Sequence, residues 1–268
     1  MRTLLAPVEA PVRLERLKLS TDRKVAPVSR YKTNAARWEP IVMNAIGLPA
    51  GNTCPGTTKA CDACYAKAIE NYLPSVAALL AHNERLLRAC GSNVKRIETL
   101  LDSMMVDYRA SVARAVRILE APVPLVFRIH WDGDFYSRAY ARAWANVIAR
   151  NADVTFWAYT RSFVPRCNVV DILADIPNLS LYLSADKYNL SKAQAVALEY
   201  PSVQLAILAE SFDDGQAIAL KTLGRKAPRC PENAGKVPLV GADGRGACVA
   251  CGLCVTGKAP VLFSTSKR

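Results

Sequence analysis

Residues 125–134 read Leu125-Val-Phe-Arg-Ile-His-Trp-Asp-Gly-Asp134, and this stretch decides the fold. It opens as a short apolar run after Pro122 and Pro124, and it closes on Asp-Gly-Asp, a turn composition. Three further runs of the same kind follow at Val154–Thr160, Leu179–Ser184 and Val203–Ala209. Helix-patterned stretches near 138–150, 168–175 and 191–199 separate them. Strands that alternate with helices are the pattern of βα units and a parallel sheet. Side chains on a strand alternate between its faces. Leu125, Phe127 and Ile129 therefore share one face, while Arg128, His130, Asp132 and Asp134 share the other if the chain stays extended. Trp157, Tyr159 and Arg161 share a parity, as do Ser180, Tyr182, Ser184 and Asp186. An open two-sided parallel sheet is normally apolar on both faces. One greasy face and one face with polar groups toward the strand C-termini fits a partial parallel (β/α) barrel instead.

Working outward toward the N-terminus, residues 93–120 predict a long helix with Ile97, Leu100, Leu101, Met104, Met105, Tyr108 and Val112 on its apolar stripe. Residues 75–90 predict another, with Val76, Leu79, Leu80, Leu87 and Cys90 on one face, so Cys90 reads as core. The preceding Gly51–Ala60 is a Gly/Pro/Thr-rich loop, and residues 1–50 hold five prolines in a loosely structured, basic segment. Three regions result: an extended basic N-terminal segment over 1–50, a cysteine loop with the partial barrel over 51–220, and a cysteine-rich C-terminal segment over 221–268.

The composition, 51% hydrophobic and 22% charged over 268 residues, is globular. No run of eighteen apolar residues occurs, and Pro7 and Pro11 break the start of the chain. No membrane span and no signal peptide are expected, which points to a cytoplasmic protein. The formal charge is +12 and is concentrated at the ends: residues 1–40 carry nine Lys or Arg against four acids, and residues 221–268 carry nine against two. Arg13, Arg16, Lys18, Arg23, Lys24, Arg30 and Lys32 crowd the first end, and Lys221, Arg225, Lys226 and Arg229 the second. Such ends suit nucleic acid, and equally a solvated surface.

Seven of the nine cysteines fall in two groups, Cys54, Cys61 and Cys64, then Cys230, Cys248, Cys251 and Cys254. A reducing compartment disfavours disulfides, so clustered thiols point to metal. The first group reads Cys54-Pro-Gly-Thr-Thr-Lys-Ala-Cys61-Asp-Ala-Cys64-Tyr-Ala. Three thiolates can hold three irons of a [4Fe-4S] cluster and leave the fourth open; the Cys61/Cys64 spacing also suits zinc. The second group offers four thiolates, enough to close a second [4Fe-4S] cluster or a zinc site.

A loop ending in Cys61-Asp-Ala-Cys64-Tyr-Ala ahead of a βα series resembles the radical S-adenosylmethionine (SAM) superfamily. With Ile129-His-Trp-Asp-Gly-Asp-Phe and Phe156-Trp-Ala-Tyr-Thr-Arg, residues 40 to 265 also resemble the gene product 88 family of actinobacteriophages. The first resemblance implies a cluster in a partial barrel whose open iron binds SAM. The second implies a phage protein working in the host cytoplasm. The Cys-x6-Cys-x2-Cys spacing departs from the superfamily's three-then-two spacing, and its Gly-Gly-Glu element is missing. Gly133 and Asp134 stand where that element would be, with Tyr159, Arg161 and Asp186 as further cofactor-binding candidates. Asp134 reads equally as a helix cap, and His130 as a core histidine. Two functions stay open: a radical-SAM-like enzyme, and a non-catalytic iron–sulfur protein that binds nucleic acid or a host protein.

Overall fold

A computed structural model of the chain describes residues 15–20, 23–25, 31–32, 38–39 and 42–266. Arg13 and Arg30 and the side chain of Lys32, three of the N-terminal basic positions, lie outside what is described. Two two-residue strands, β1 (Tyr31–Lys32) and β2 (Trp38–Glu39), pair antiparallel. A 3₁₀ turn at Lys59–Ala63 then leads into α1 (Tyr65–Tyr72), α2 (Pro74–Arg88) and α3 (Val94–Leu119).

The βα series follows. It runs β3 (Val126–Ile129), α4 (Arg138–Arg150), β4 (Thr155–Thr160), a small hairpin of β5 (Phe163–Val164) and β6 (Cys167–Asn168), and α5 (Val170–Leu173). It continues with β7 (Leu179–Ala185), α6 (Leu190–Glu199), β8 (Gln204–Ala209) and α7 (Phe212–Leu223). Two short helices, α8 (Ala247–Cys251) and α9 (Leu253–Thr256), precede β9 (Val261–Ser264).

Five of these strands form one all-parallel sheet in the order β3-β4-β7-β8-β9. The order never reverses, so the sheet curls in one direction as a half-barrel and has no switch point of the doubly wound kind. Both edges are covered. Asn44 O accepts from Arg128 N, and Ile46 N donates to Arg128 O, so residues 44–46 run beside β3. At the other edge Cys230 N donates to Leu262 O and Leu262 N to Pro228 O, which brings residues 228–230 against β9. Exposed edges template aggregation, and these two backbone segments remove them.

The strand alternation holds. Phe127, Ile129, Phe156, Ala158, Leu181, Leu183, Leu205, Ile207 and Leu262 enter the large core beneath the helices, with Trp144 and Tyr140 of α4 and Met104, Met105 and Tyr108 of α3. Burial of such side chains stabilises by about 1.5–3 kcal/mol each. Cys90 is buried in the same core. The opposite, concave face carries Trp157, Tyr182, Ala206 and Val261, and it is buried too. It is covered by Leu80 and Leu79 from α2 and by Leu253, Cys254 and Val255 of α9. Arg128 and the Tyr182 hydroxyl sit among these apolar side chains, and the face is greasier than the alternation suggested.

Four local expectations need correction. β3 stops at Ile129, because His130 turns into the left-handed region at φ 58°. His130 therefore leaves the concave face, meets the Tyr140 hydroxyl at 3.0 Å and stands edge-on to Phe135. The helix expected over 168–175 shrinks to the four residues of α5, since Cys167 and Asn168 are spent on the β5–β6 hairpin and Pro177 follows. Residues 42–48, read as part of a loose segment, hold Val42, Ala45, Ile46 and Leu48 in the interior. α7 and β9 complete the half-barrel; the Ser211/Asp214 capping box and the Gly224 stop were legible marks of α7.

Candidate strand-end site and cysteine sets

The C-terminal ends of β3, β4 and β7 converge on the loop that holds Cys54, Cys61 and Cys64. Thr58, between the first two cysteines, donates its hydroxyl to Asp186 Oδ2 at 2.7 Å. Arg161 Nη1 reaches the same oxygen, and its partner Asp186 is only 3% exposed. Asp186 Oδ1 accepts from Tyr188 N at 2.8 Å. Burial alone would push the Asp186 carboxyl up, yet Thr58, the Tyr188 amide and Arg161 together outweigh it and hold it below its usual value. Arg161 and Asp186, named from the strand ends, are thus brought to the cysteine loop.

Backbone approach fixes the loop a second time. A Cβ on Gly56 would fall 1.8 Å from the Arg161 carbonyl oxygen. Gly133 has φ +79°, and a Cβ there would meet Thr53 Oγ1 at 2.6 Å and the Leu48 carbonyl at 2.7 Å. Both positions accept glycine because the loop lies directly on the strand ends. Gly133 is in place beside the loop, and its visible task is this close approach.

Asp134 is a strut. Its Oδ1 accepts from Phe135 N and the Thr160 hydroxyl, and its Oδ2 from Arg161 N, all at 2.7 Å. It ties the end of β3 to the end of β4. Burial pushes its carboxyl up, against these donors. The cap of α4 is Ser137, which accepts from Tyr140 N.

Asp132 is the residue that sequence reasoning passed over. It is 3% exposed, and its polar surroundings are the Gly133 amide and the Glu70 carboxyl. Burial, then the nearby Glu70 carboxylate, pushes it up to about 7. The Glu70 charge beside this buried site makes ionisation of Asp132 costly. Glu70 also accepts from Ala50 N at 2.8 Å, which roots α1 on the loop's entry. Cys54 lies under these acids: burial, then Asp134 and Asp132, pushes its thiol up to about 12. Such a thiol is protonated at neutral pH and yields its proton only to a metal ion or a strong base.

The second set gathers on the concave face. Cys230 and Cys254 pack with Leu253 and Phe263 against Tyr182, Ala206 and Val261. Burial pushes Cys254 up to about 12, and the Cys248 and Cys230 thiols add to the push. Cys230 is raised by burial and, more weakly, by Glu232 and Cys251. Cys230 and Cys254 thus meet from two separate stretches of chain. Ser180 Oγ donates to Val255 O at 2.9 Å, which pins α9 onto the sheet, and the Tyr182 hydroxyl donates to Ala259 O at 2.9 Å just beyond it. Tyr159 belongs here. Its hydroxyl pairs with Cys254, its ring lies 5.5 Å from Tyr182, and Arg128 stands over it at 5.6 Å. The strand-end grouping of Tyr159 with Arg161 and Asp186 does not hold: Tyr159 faces the second cysteine set, the other two the first. Among the described residues, no three His, Cys, Asp or Glu side chains already stand as a group able to hold one metal ion.

The basic chain ends are partly spent on ion pairs, Arg16 with Asp107, Lys24 with Glu232 and Arg229 with Asp213. No helix among the described residues is long and apolar enough to cross a membrane.

Residues 16–257 match the family model described as Gene product 88, and the chain belongs to that family. It is 38% identical over 258 residues to the Gene 88 protein of Mycobacterium phage L5, covering 95% of this chain and all of that one. It is 40% identical over 256 residues to the Gene 88 protein of Mycobacterium phage D29, covering 94% and 99%. No solved structure matches.

Proposed function

We propose that this member of the Gene product 88 family of phage proteins is an iron–sulfur protein built on a half-barrel. The observation that supports the reading is that Cys230 and Cys254, from separate segments, pack together on the concave face of the sheet, with Cys248 and Cys251 on the short helix just before Cys254. Four cysteines from two segments, Cys230, Cys248 and Cys254 half-buried and Cys251 exposed, supply soft donors suited, once drawn together, to a [4Fe-4S] cluster or to zinc. Cys54, Cys61 and Cys64 form the second donor set, at the strand ends where partial barrels gather their chemistry. A cluster there would supply an electron to SAM. Arg161, Asp186 and Thr58 keep its loop on the sheet.

The test is anaerobic reconstitution with iron and sulfide, followed by metal and sulfide analysis of the wild type, Cys61→Ala and Cys251→Ala. The reading expects brown protein, with each variant losing one centre and keeping the other. Stoichiometric zinc at the second set would leave one cluster. Colourless protein without iron at either set overturns the proposal. Reduced, reconstituted protein is then given SAM; formation of 5′-deoxyadenosine and methionine makes it an enzyme, and their absence leaves a non-catalytic iron–sulfur protein.

A further inference from the structure

Basic side chains converge on the cysteine loop from elements on every side. Arg88 of α2 donates to Asn52 O at 3.0 Å, and Arg166 from the β5–β6 turn donates to Pro55 O at 2.8 Å. Lys67 of α1 comes within 3.7 Å of where a Gly51 Cβ would stand, and Lys59 lies exposed within the loop itself. Arg88 and Arg166 are exposed, so each keeps N–H groups for solvent after serving a loop carbonyl. The neighbouring acids are mostly committed: Glu84 to Arg88, Asp186 to Arg161 and Glu210 to Lys187. Asp62 is the exposed acid of the loop.

Two tyrosines with exposed rings stand on the elements joined to this loop. Tyr72, at the end of α1, is 84% exposed, and Tyr188, two residues beyond Asp186, is 52% exposed. Cys64 joins the loop to α1, and the Thr58–Asp186 bond joins it to the turn that carries Tyr188. Lys187 Nζ sits 5.6 Å from the Tyr188 ring centroid, a cation beside an aromatic face. Exposed aromatics on elements that also carry exposed cations are what a single-stranded nucleic acid uses: phosphates track the cations and bases stack on the rings. A small anion needs no exposed rings, and an acidic protein surface gains little from stacking platforms.

We propose that the cysteine-loop face, and not the chain ends, binds single-stranded nucleic acid, with Tyr72 and Tyr188 as stacking platforms and Lys59, Lys67, Arg88 and Arg166 as phosphate contacts. The inference does not depend on the metal, and iron content and affinity are read on the same sample, so the failure of either reading is seen separately.

The experiment is fluorescence anisotropy of the full chain with a labelled sixteen-nucleotide oligo-dT and its RNA counterpart, in a salt series. Binding at low salt should weaken steeply as salt rises. Tyr72→Ala and Tyr188→Ala should each lower affinity by about fivefold or more, Lys59→Ala/Lys67→Ala should lower it and flatten the salt slope, and Lys221→Ala/Arg225→Ala should leave it near wild type. Both tyrosines are exposed, so their truncation spares the core. Ultraviolet cross-linking to a bromouridine oligonucleotide should label peptides containing Tyr72 or Tyr188. The proposal is overturned by absence of binding at low salt, by loss confined to the chain-end variant, or by tyrosine variants that bind and cross-link as the wild type does. Displacement by polyglutamate together with tyrosine-independent binding would show a merely charged surface, and also overturns it.

Discussion

Gly56→Ala should detach the cysteine loop from the strand ends. The added Cβ would stand 1.8 Å from the Arg161 carbonyl oxygen and 2.5 Å from its carbon, both backbone atoms that cannot swing aside. An ordinary carbon–oxygen contact needs about 3.3 Å, so the loop must retreat by about 1.5 Å. Two residues on, the Thr58–Asp186 bond is 2.7 Å long, and a shift of that size takes it beyond hydrogen-bond range. Overpacking costs about 1–3 kcal/mol and the lost bond to a charged group about 1.5–3 kcal/mol more. The expected loss is therefore about 2.5–6 kcal/mol, less if the loop simply lifts off and the core remains intact. Urea unfolding gives the global figure, and limited trypsin digestion at Lys59 reports the loop. Trypsin should cut the variant much faster than the wild type even where the unfolding midpoint moves little. If Gly56→Ala resists trypsin equally and unfolds within about 0.5 kcal/mol of the wild type, a difference typical of a neutral surface change, the loop does not lie on Arg161 as described.

Gly215→Ala is the contrasting case: it sits inside α7 with Leu262 Cδ1 at 3.5 Å from the new Cβ, ordinary contact, so stability in urea should rise by about 0.5–1 kcal/mol. Asp186→Ala leaves Arg161, whose side chain is 15% exposed, without its carboxylate and should cost about 3 kcal/mol in the same assay. Because the Asp186 carboxyl is held below its ordinary value, its contribution is present above about pH 4 and is lost as pH falls through its folded pKa; the variant's stability deficit should shrink in acid and stay constant from pH 5 to 8. His130 runs through a different window. Burial lowers it to about 3, so below its ordinary value near 6.5 the unfolded chain takes up a proton that the folded chain refuses, and stability should fall by about 2 kcal/mol between pH 7 and pH 5. His130→Asn, which tolerates φ 58°, should remove that slope; an unchanged slope would place its origin elsewhere.

The half-barrel was legible because its signals are local. Four apolar runs spaced by helical patterns gave β3, β4, β7 and β8, the 138–150 helix was found at its true bounds, and the cysteine groups can be counted by eye. Period-two alternation also placed Phe127 and Ile129 opposite Arg128 correctly, since a strand's facing depends on its backbone alone. Alternation could not see His130 turn aside. Nor could it see that Tyr159 and Arg161, two residues apart and of one parity, serve different cysteine sets, because Arg161 lies past the end of β4, where the strand's facing no longer applies. Thr58 and Glu70 carry no mark in the chain, and Asp132 showed only as part of a turn; their meaning comes from partners up to 128 residues away. The meeting of Cys230 with Cys254, and the basic rim of the loop with exposed tyrosines on the elements joined to it, arise only when distant segments pack together. Composition and periodicity report what each residue prefers, whereas a site depends on which preferences the tertiary fold forces to meet.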